Sequence, residues 1–221
     1  MKVLGPLFPA VATVLLAIAV GGLRRPASGA TTQTPAAPAT VDHQVLQLNR
    51  QLEAVKSEYA RMKSQVARAQ AVLSYSTKYQ IPADLAGAIY DAAQSEGIDP
   101  AIAFRLVKIE SNFDGTARSP RGAIGYAQVR LATARQYLPE LEERHLYRRD
   151  VNLTVGFRVL KDLLRRFDGN IDLALLAYNR GPGRVEQIIA EGGDPSNGYA
   201  DQVLKRKKPA LPPAPVIEPE S

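Results

Sequence analysis

The chain has 221 residues, a formal net charge of +6 and no cysteine. This length allows one core of ordinary size with appendages, and the lack of cysteine excludes disulfides and thiol catalysis. Residues 1–80 carry about nine Lys or Arg against three Asp or Glu, whereas residues 81–205 carry about sixteen against seventeen. The basic excess in the first part argues against a globular nucleic-acid-binding domain. It fits either a segment beside anionic lipid or acidic wall polymer, or a solvated basic helix.

The N-terminal segment is apolar. Residues 4–23 carry no charge, and a run of that length is long enough to span a bilayer. We therefore predict that residues 1–25 form a transmembrane anchor or a signal segment. Ser28-Gly29-Ala30 offers a small-residue cleavage site, but Arg24 and Arg25 lie between it and the apolar run, so an uncleaved anchor is favoured.

A linker and a long helix follow. Residues 26–42 are rich in small residues and proline, which is typical of a flexible linker. Residues 43–78 predict a coiled-coil helix, because apolar side chains alternate spacings of three and four: Val45, Leu48, Leu52, Val55, Tyr59, Met62, Val66, Ala69 and Leu73. The alternative is one amphipathic helix packed on the next domain. The pattern leaves the number of strands in a coiled coil open.

From residue 79 to 206 the pattern predicts one all-helical domain, and nothing in it predicts a β-hairpin. Helices are expected near residues 83–96, 99–113, 124–138, 150–167, 170–179, 182–191 and 197–206. The proline-rich residues 207–221 are expected to be disordered. His43 and His145 are far apart, so no metal-ligand pattern is present, and the sequence calls for no metal or nucleotide cofactor.

One glutamate stands at the end of a predicted helix. Asp99 is a good N-cap and Pro100 suits the first helical position, while Asp114-Gly115 indicates a turn that stops the helix. Glu110 falls near that stop, at the edge of an apolar face that includes Leu106. Partial desolvation and the negative end of the helix dipole both predict a raised pKa for this carboxyl group. A glutamate that stays protonated near neutral pH is suited to general acid catalysis.

Three motifs in order resemble the soluble-lytic-transglycosylase (SLT) domain family. They are Glu110-Ser111, the GAIGYAQ segment at residues 122–128, and the AYNRGPGRV segment at residues 177–185. The last is long and specific. The resemblance covers about residues 81–205.

The resemblance implies a lysozyme-like, all-helical catalytic domain that acts on peptidoglycan, exported to the cell envelope and facing the periplasm. The family cleaves the β-1,4 bond between N-acetylmuramic acid and N-acetylglucosamine and leaves a 1,6-anhydro end, without water. Glu110 would serve as the single general acid and base, because the sugar's own hydroxyl replaces the second carboxylate of ordinary glycosidases. Asp114 is assigned to the turn.

The resemblance also implies substrate-binding and supporting residues. Ser111 would hold the cleft near the acid, and Gln128 would bond a sugar or the backbone. Tyr178 would reach the carboxyl group of Glu110, and Asn179 would bond an acetamido group. The set is completed by two more tyrosines, which are expected in the sugar-binding wall: Tyr126 and Tyr199.

The chain departs from the family pattern at several positions. Tyr126-Ala127 replaces Leu-Met, and Arg130-Leu131 replaces Met-Pro, so the sugar-binding wall is expected to differ. Arg180 replaces alanine and adds a cation beside the cleft. Asn197-Gly198 replaces the Glu-Thr pair before Tyr199, which bears on the placement of that tyrosine.

Three functions remain open on the sequence. The first is a membrane-tethered lytic transglycosylase. The second is a hydrolytic muramidase on the same fold. The third is a non-catalytic envelope scaffold that works through its coiled coil, by self-association or by binding an envelope complex. An intact Glu110 argues against the scaffold.

Overall fold

The computed structural model describes residues 39–206, with side chains from residue 42 onward. The predicted anchor at residues 1–25, the predicted linker up to residue 38 and the predicted tail at residues 207–221 lie outside the described residues. Within residues 39–206, no helix combines the length and the apolar character needed to cross a membrane. The chain divides into two compact units, one ending at Glu53 and the other beginning at Ala54.

Helix α1 runs from Ala39 to Tyr79, so it starts slightly before the predicted boundary. Its last turns pack on the following domain: Val72 is buried, and the ring of Tyr75 stacks on Phe104 with the ring centroids 4.0 Å apart. Arg68, on the same side of the helix, pairs with Asp91 at 2.6 Å.

The predicted heptad side chains of α1 lie on another face of the helix and are exposed. Leu52, Val55, Met62 and Leu73 are 49%, 62%, 52% and 62% exposed. Successive residues of an α-helix are rotated by about 100° around the helix axis. The face that carries the heptad residue Met62 is therefore rotated by about 80–120° from the face that carries Arg68 and Val72 and packs on the domain. Docking therefore leaves the part of the heptad face from Val55 to Leu73 exposed. The coiled coil itself stays a prediction.

The second unit is built mainly from helices, which confirms the predicted helical class for the described residues. Six of the predicted helices are confirmed with ends within about two residues. Their observed bounds are Ala83–Glu96 (α2), Pro100–Ser111 (α3), Arg149–Arg166 (α5), Ile171–Arg180 (α6), Pro182–Ala190 (α7) and Tyr199–Leu204 (α8).

The predicted helix at residues 124–138 is wrong. Strands β1 (Ala123–Ile124) and β2 (Val129–Arg130) form an antiparallel hairpin there, with Ala123 opposite Arg130. Only one turn of helix follows, α4 (Leu131–Ala134), and a 3₁₀ helix that the pattern did not predict spans Glu143–Tyr147.

A buried asparagine explains why this segment folds as a hairpin. The side chain of Asn152, on α5, is fully buried and bonds three backbone groups. Its Oδ1 accepts from the Ala127 amide at 2.8 Å, and its Nδ2 donates to the carbonyl oxygens of Ile124 and Leu146 at 2.7 and 2.9 Å. In a continuous helix from residue 124, the Ile124 carbonyl oxygen would bond within the helix and would not be free for Asn152. The tertiary clamp therefore overrides the local helical pattern.

The core lies between α2, α3, α5 and α6, and it fixes the end of α3. The largest fully buried side chains include Ile89, Phe104, Leu106, Phe157 and Leu175. Buried Glu96 on α2 adds an ion pair to Arg158 on α5, at 2.7 Å. These contacts hold the helices that form the walls of the candidate site.

Candidate active site

Glu110 lies in the last turn of α3 and lines a cleft of about 610 Å³. The predicted start of this helix is confirmed, because Asp99 Oδ1 accepts from the Ala101 amide at 2.7 Å and Pro100 is the first helical residue. The helix ends at Ser111, where Asn112 takes a left-handed conformation with φ of 52°. The end of α3 therefore delivers the carboxyl group to the cleft.

The carboxyl group of Glu110 is held by Tyr199. The Tyr199 hydroxyl, at the start of α8, donates a hydrogen bond to Glu110 Oε1. Burial raises the pKa of Glu110 above the ordinary value for glutamate, and the hydrogen bond from Tyr199 lowers it by less. The predicted raised pKa and its cause, desolvation, are thus supported. Within residues 42–206, no side chain donates a hydrogen bond to the second carboxyl oxygen of Glu110, Oε2.

The predicted contact between Tyr178 and the acid is wrong. The Tyr178 hydroxyl donates instead to the Ala127 carbonyl oxygen at 2.7 Å, and a hydroxyl group has only one proton to donate. Tyr178 still lines the cleft with Glu110. Burial, and then the charge of Glu110, raise the pKa of Tyr178 well above its ordinary value. This tyrosine therefore fastens α6 to the hairpin, and Tyr199 makes the contact with Glu110 that was predicted for Tyr178.

Gln128 and Ser111 brace the hairpin. Gln128 lines the cleft, has a φ of 48°, and its Nε2 donates to the Gly125 and Ala117 carbonyl oxygens at 3.0 and 3.2 Å. Ser111 Oγ donates to the Tyr126 carbonyl oxygen at 2.8 Å. The backbone option predicted for Gln128 is therefore present, and Ser111 ties the end of α3 to the hairpin beside the acid.

Asn179 and Asn197 connect the third motif to the loop before Tyr199. Asn197 Nδ2 donates to Asn179 Oδ1 at 2.9 Å, and Asn197 Oδ1 accepts from the Tyr199 amide at 3.1 Å. The departure at Asn197 therefore preserves the position of Tyr199. Arg180 lines the cleft beside Asn179, and its guanidinium donates to the Pro195 carbonyl oxygen at 2.8 Å.

Three candidate residues, Tyr126, Ser111 and Tyr199, lie outside the cleft lining, as does the turn residue Asp114. The ring of Tyr126 packs against Gly115, where an added Cβ would meet ring atoms at 2.7 Å. Asp114 Oδ1 accepts from the amide and the hydroxyl of Thr116, both at 2.7 Å. Asp114 is therefore the turn residue that the sequence indicated, and the structure does not bring Tyr126 into the cleft.

Sequence reasoning missed the opposite wall of the cleft. Residues of α5 at helical spacing form it, with polar side chains from the segment after β2: Val159, Asp162, Leu163, Arg166, Thr133, Gln136 and Tyr137. Burial, and then a hydrogen bond with Asp162, raise the pKa of Tyr137 to about 12. The predicted helix at residues 124–138 concealed this wall, and the spacing of Val159, Asp162 and Arg166 on α5 was the available signal.

Several known proteins resemble this chain. Membrane-bound lytic murein transglycosylase D of Escherichia coli K12 is 36% identical over 83 residues, which are 37% of this chain and 18% of that protein. Peptidoglycan transglycosylase gp16 of Escherichia phage T7 is 29% identical over 108 residues, which are 48% of this chain and 8% of that protein. The chain thus spans less than a fifth of the length of these relatives.

Two solved structures were also found. The lytic transglycosylase Slt of Pseudomonas aeruginosa, an inactive mutant, aligns with a TM-score of 0.47 and 28% identity over 52% of this chain and 22% of its own. The 70 kDa soluble lytic transglycosylase of Escherichia coli aligns with a TM-score of 0.48 and 20% identity over 62% of this chain and 29% of its own.

The family comparison covers the site. The model of the Transglycosylase SLT domain matches residues 87–198, about half of the chain. This range contains the end of α3, the hairpin and the third motif, which together carry Glu110, Gln128 and Asn179. The chain therefore belongs to the transglycosylase SLT domain family.

Proposed function

We propose that this chain is a peptidoglycan lytic transglycosylase. It cleaves the β-1,4 bond between N-acetylmuramic acid and N-acetylglucosamine and forms a 1,6-anhydromuramic acid end. Membership in the SLT family supports this proposal, as do the names of two relatives, a murein and a peptidoglycan transglycosylase. The observation that carries it is Glu110, a carboxyl group with a raised pKa at the wall of an open cleft.

In the first step Glu110 acts as the general acid. Desolvation favours its protonated form, and Tyr199 occupies Oε1. The proton is therefore carried on Oε2. It passes to the glycosidic oxygen while the bond from that oxygen to the muramyl C1 breaks, so the leaving sugar departs as a neutral alcohol. The muramyl ring develops oxocarbenium character, which its own N-acetyl group supports.

In the second step the Glu110 carboxylate acts as the general base. It removes the proton from the muramyl 6-hydroxyl, and that oxygen bonds to C1. The attacking hydroxyl belongs to the same sugar, so its high effective concentration competes with water. Glu110 ends the cycle protonated, as it began. One carboxyl group therefore suffices.

The walls of the cleft hold the glycan. The Gln128 amide already donates to two backbone carbonyls, so its amide oxygen is the group that remains for a sugar. Asn179 accepts from Asn197 through its oxygen, which leaves its amino group as a donor for an acetamido carbonyl. Neither role needs a charged side chain, in keeping with a neutral sugar ring.

Product analysis tests this function. Purified peptidoglycan is digested with the full chain or with its Glu110→Gln variant, and the soluble products are analysed by mass spectrometry. We expect anhydro-muropeptides from the wild type and none from the variant. Reducing-end products would make the protein a hydrolytic muramidase. No products from a folded wild type would favour a scaffold, and products unchanged by the variant would reject Glu110.

The N-terminal part would place the enzyme. We propose that residues 1–25 anchor the chain in the membrane and that the catalytic domain faces the cell wall, outside the cytoplasm. The name of one relative, a membrane-bound murein transglycosylase, supports this location. The test is fractionation of cells that express the full chain, followed by protease treatment of spheroplasts. Loss of the catalytic domain to external protease supports export, whereas full protection contradicts it.

We also propose that the heptad face of α1 pairs with a second copy of this chain, in parallel and in register. Val55, Met62 and Val66 on this face are 62%, 52% and 56% exposed. In a parallel coiled coil, the residue just before the first apolar residue of each heptad faces the residue five positions later in the partner helix. Here Glu58 precedes the apolar Tyr59, and Lys63 follows the apolar Met62. Glu58 and Lys63 have this relation, so two symmetric ion pairs flank the seam. This charge match favours a second copy over an unrelated partner.

A further inference from the structure

The cleft carries two arginines that the mechanism above does not use. Arg130 is the last residue of β2, opposite Ala123, and Arg121 lies two residues before Ala123. Both arginines line the same cleft as Glu110, and both are exposed. They therefore lie together at the open end of the hairpin, within the substrate cleft.

Among the described side chains, residues 42–206, none neutralises the charge of these two arginines. The other two arginines of the cleft are engaged, since Arg166 pairs with Glu186 at 2.6 Å and Arg180 donates to a carbonyl oxygen. In residues 42–206, Arg121 and Arg130 form neither an ion pair nor a side-chain hydrogen bond. Charge of one sign in a cleft focuses the field on a ligand of opposite sign.

The two acidic side chains of the cleft lining, Glu110 and Asp162, do not neutralise the charge of Arg121 and Arg130. Asp162 lies on the opposite wall with Tyr137 and pairs with Arg165 at 3.4 Å. The pKa of Glu110 is set by burial and by Tyr199. In the described part of the chain, neither carboxylate forms an ion pair or a hydrogen bond with Arg121 or Arg130.

The guanidinium group identifies the kind of ligand. Arginine presents a planar set of donors that matches a carboxylate with two parallel hydrogen bonds. The N-acetylated sugar rings of a glycan are neutral, and the carboxylates of peptidoglycan belong to its substituents. These are the stem peptide on intact strands and the lactyl group on strands whose peptide has been removed.

We propose that Arg121 and Arg130 bind the carboxylates of the stem peptide, so that the cleft prefers peptide-bearing strands over bare glycan. This proposal rests on the proposed function, because it assigns the substituent of the same substrate. The cleft then recognises two parts of one polymer. The wall around Glu110, Gln128 and Asn179 holds the sugars, and the end of the hairpin holds the peptide.

Binding to insoluble peptidoglycan tests the proposal without cleavage. The full chain carrying Glu110→Gln is the parent protein. The double change Arg121→Gln and Arg130→Gln is added to it, and the matched control is Arg144→Gln, an arginine outside the cleft lining whose side chain is 73% exposed. Each protein is sedimented with intact peptidoglycan, with peptidoglycan whose carboxylates are chemically amidated, and with glycan stripped of its peptides by an amidase.

We expect the double change to weaken binding to intact peptidoglycan about tenfold, the scale of two lost charge-assisted contacts. Binding to the amidated and stripped substrates should be equal for parent and double variant, and Arg144→Gln should match its parent throughout. An equal loss on stripped glycan would assign the arginines to the lactyl carboxylate and overturn the proposal. An equal loss on amidated substrate, or no loss on any, would also overturn it.

This assay separates the proposal from the lyase activity. If the wild type releases no anhydro products while the double change still weakens binding to intact strands, the proposed reaction fails and the peptide-binding subsite stands. If anhydro products form and the double change leaves binding intact, the reaction stands and the subsite fails.

Discussion

The hydroxyl of Tyr199 donates a hydrogen bond to Oε1 of Glu110 across 89 positions of sequence. This contact joins the start of α8 to the end of α3 and fixes which carboxyl oxygen faces the cleft. It also opposes the effect of burial on the pKa of Glu110. The position and the acidity of the proposed catalytic group therefore depend on one phenol.

Tyr199→Phe should slow the reaction and shift its pH dependence. The hydrogen bond lowers the pKa of Glu110, so its loss raises that pKa, and the fall in activity on the alkaline side moves to higher pH. Loss of one positioning hydrogen bond should reduce kcat about tenfold to a hundredfold. A pH series of kcat for peptidoglycan release measures both effects.

Tyr178→Phe is the matched control, because its hydroxyl bonds Ala127 and not the acid. It should leave the alkaline limb in place. An unmoved limb in Tyr199→Phe, or an equal shift in both variants, would contradict the role given to Tyr199.

Glu110→Gln should stabilise the protein in a pH-dependent way. The pKa of Glu110 is raised in the folded state, so its folded form prefers the proton. Well below pH 4 the carboxyl group is protonated in both the folded and the unfolded state. There the wild type loses no stability to the charge of Glu110. As pH rises through the folded-state pKa, the wild type loses stability that the glutamine variant keeps.

At pH 7 we expect the variant to melt about 2–4 °C higher than the wild type, as for a gain near 1 kcal/mol in a chain of this size. The difference should shrink towards pH 4. Calorimetry of both proteins at several pH values measures it. A difference that is constant with pH, or that grows on acidification, would show that burial does not disfavour the charged form.

Asn152→Leu should unfold the hairpin region and weaken the whole domain. The substitution leaves three backbone groups without their side-chain partner. Each unsatisfied buried group costs roughly 1–3 kcal/mol, so a loss of about 3 kcal/mol or more is expected. Urea unfolding of the variant measures this loss.

Gln94→Leu on the exposed side of α2 makes the same kind of polar-to-apolar change and should stay within about 0.5 kcal/mol of the wild type. Similar values for the two variants would mean that Asn152 does not clamp the hairpin.

Charge reversal should test the proposed parallel pairing of α1. Glu58→Lys places two lysines against each other across the seam and should weaken self-association about threefold to tenfold, the scale of surface ion pairs. Adding Lys63→Glu restores opposite charges and should recover the association. Sedimentation equilibrium of the full chain in detergent measures the dissociation constants.

Ser57→Lys adds one positive charge, half the charge change of Glu58→Lys, on the outer side of the heptad and serves as the control. A monomeric wild type, or a double variant no better than Glu58→Lys, would contradict the parallel pair.

The sequence predicted the convergence of the catalytic motifs but not the contacts between them. The motifs at Glu110, Gln128 and Asn179 do line one cleft. The hairpin was missed because each strand has two residues, too few to show alternation, and because its clamp, Asn152, is distant in sequence. Gly125, with φ of 75° and Asn152 against it, was the local sign of a turn.

The exchange of roles between Tyr178 and Tyr199 has a similar cause. Both tyrosines lie in segments that the sequence predicts to be helical. Which of them reaches Glu110 depends on how α6 and α8 pack against the end of α3. The departure from the family pattern at Asn197 argued against Tyr199 as a site residue. In the structure, Asn197 Oδ1 accepts a hydrogen bond from the Tyr199 amide and supports the start of α8. Such choices belong to tertiary packing, which spacing alone does not encode.

Digestion in water labelled with heavy oxygen shows whether Glu110 drives cleavage with the sugar's own hydroxyl or with water. The full-length wild type and Glu110→Gln are incubated with peptidoglycan in this water, and the new ends are read by mass spectrometry. We expect unlabelled anhydro ends from the wild type and none from the variant. Labelled reducing ends from the wild type, or unlabelled anhydro ends from the variant, would contradict the proposed mechanism.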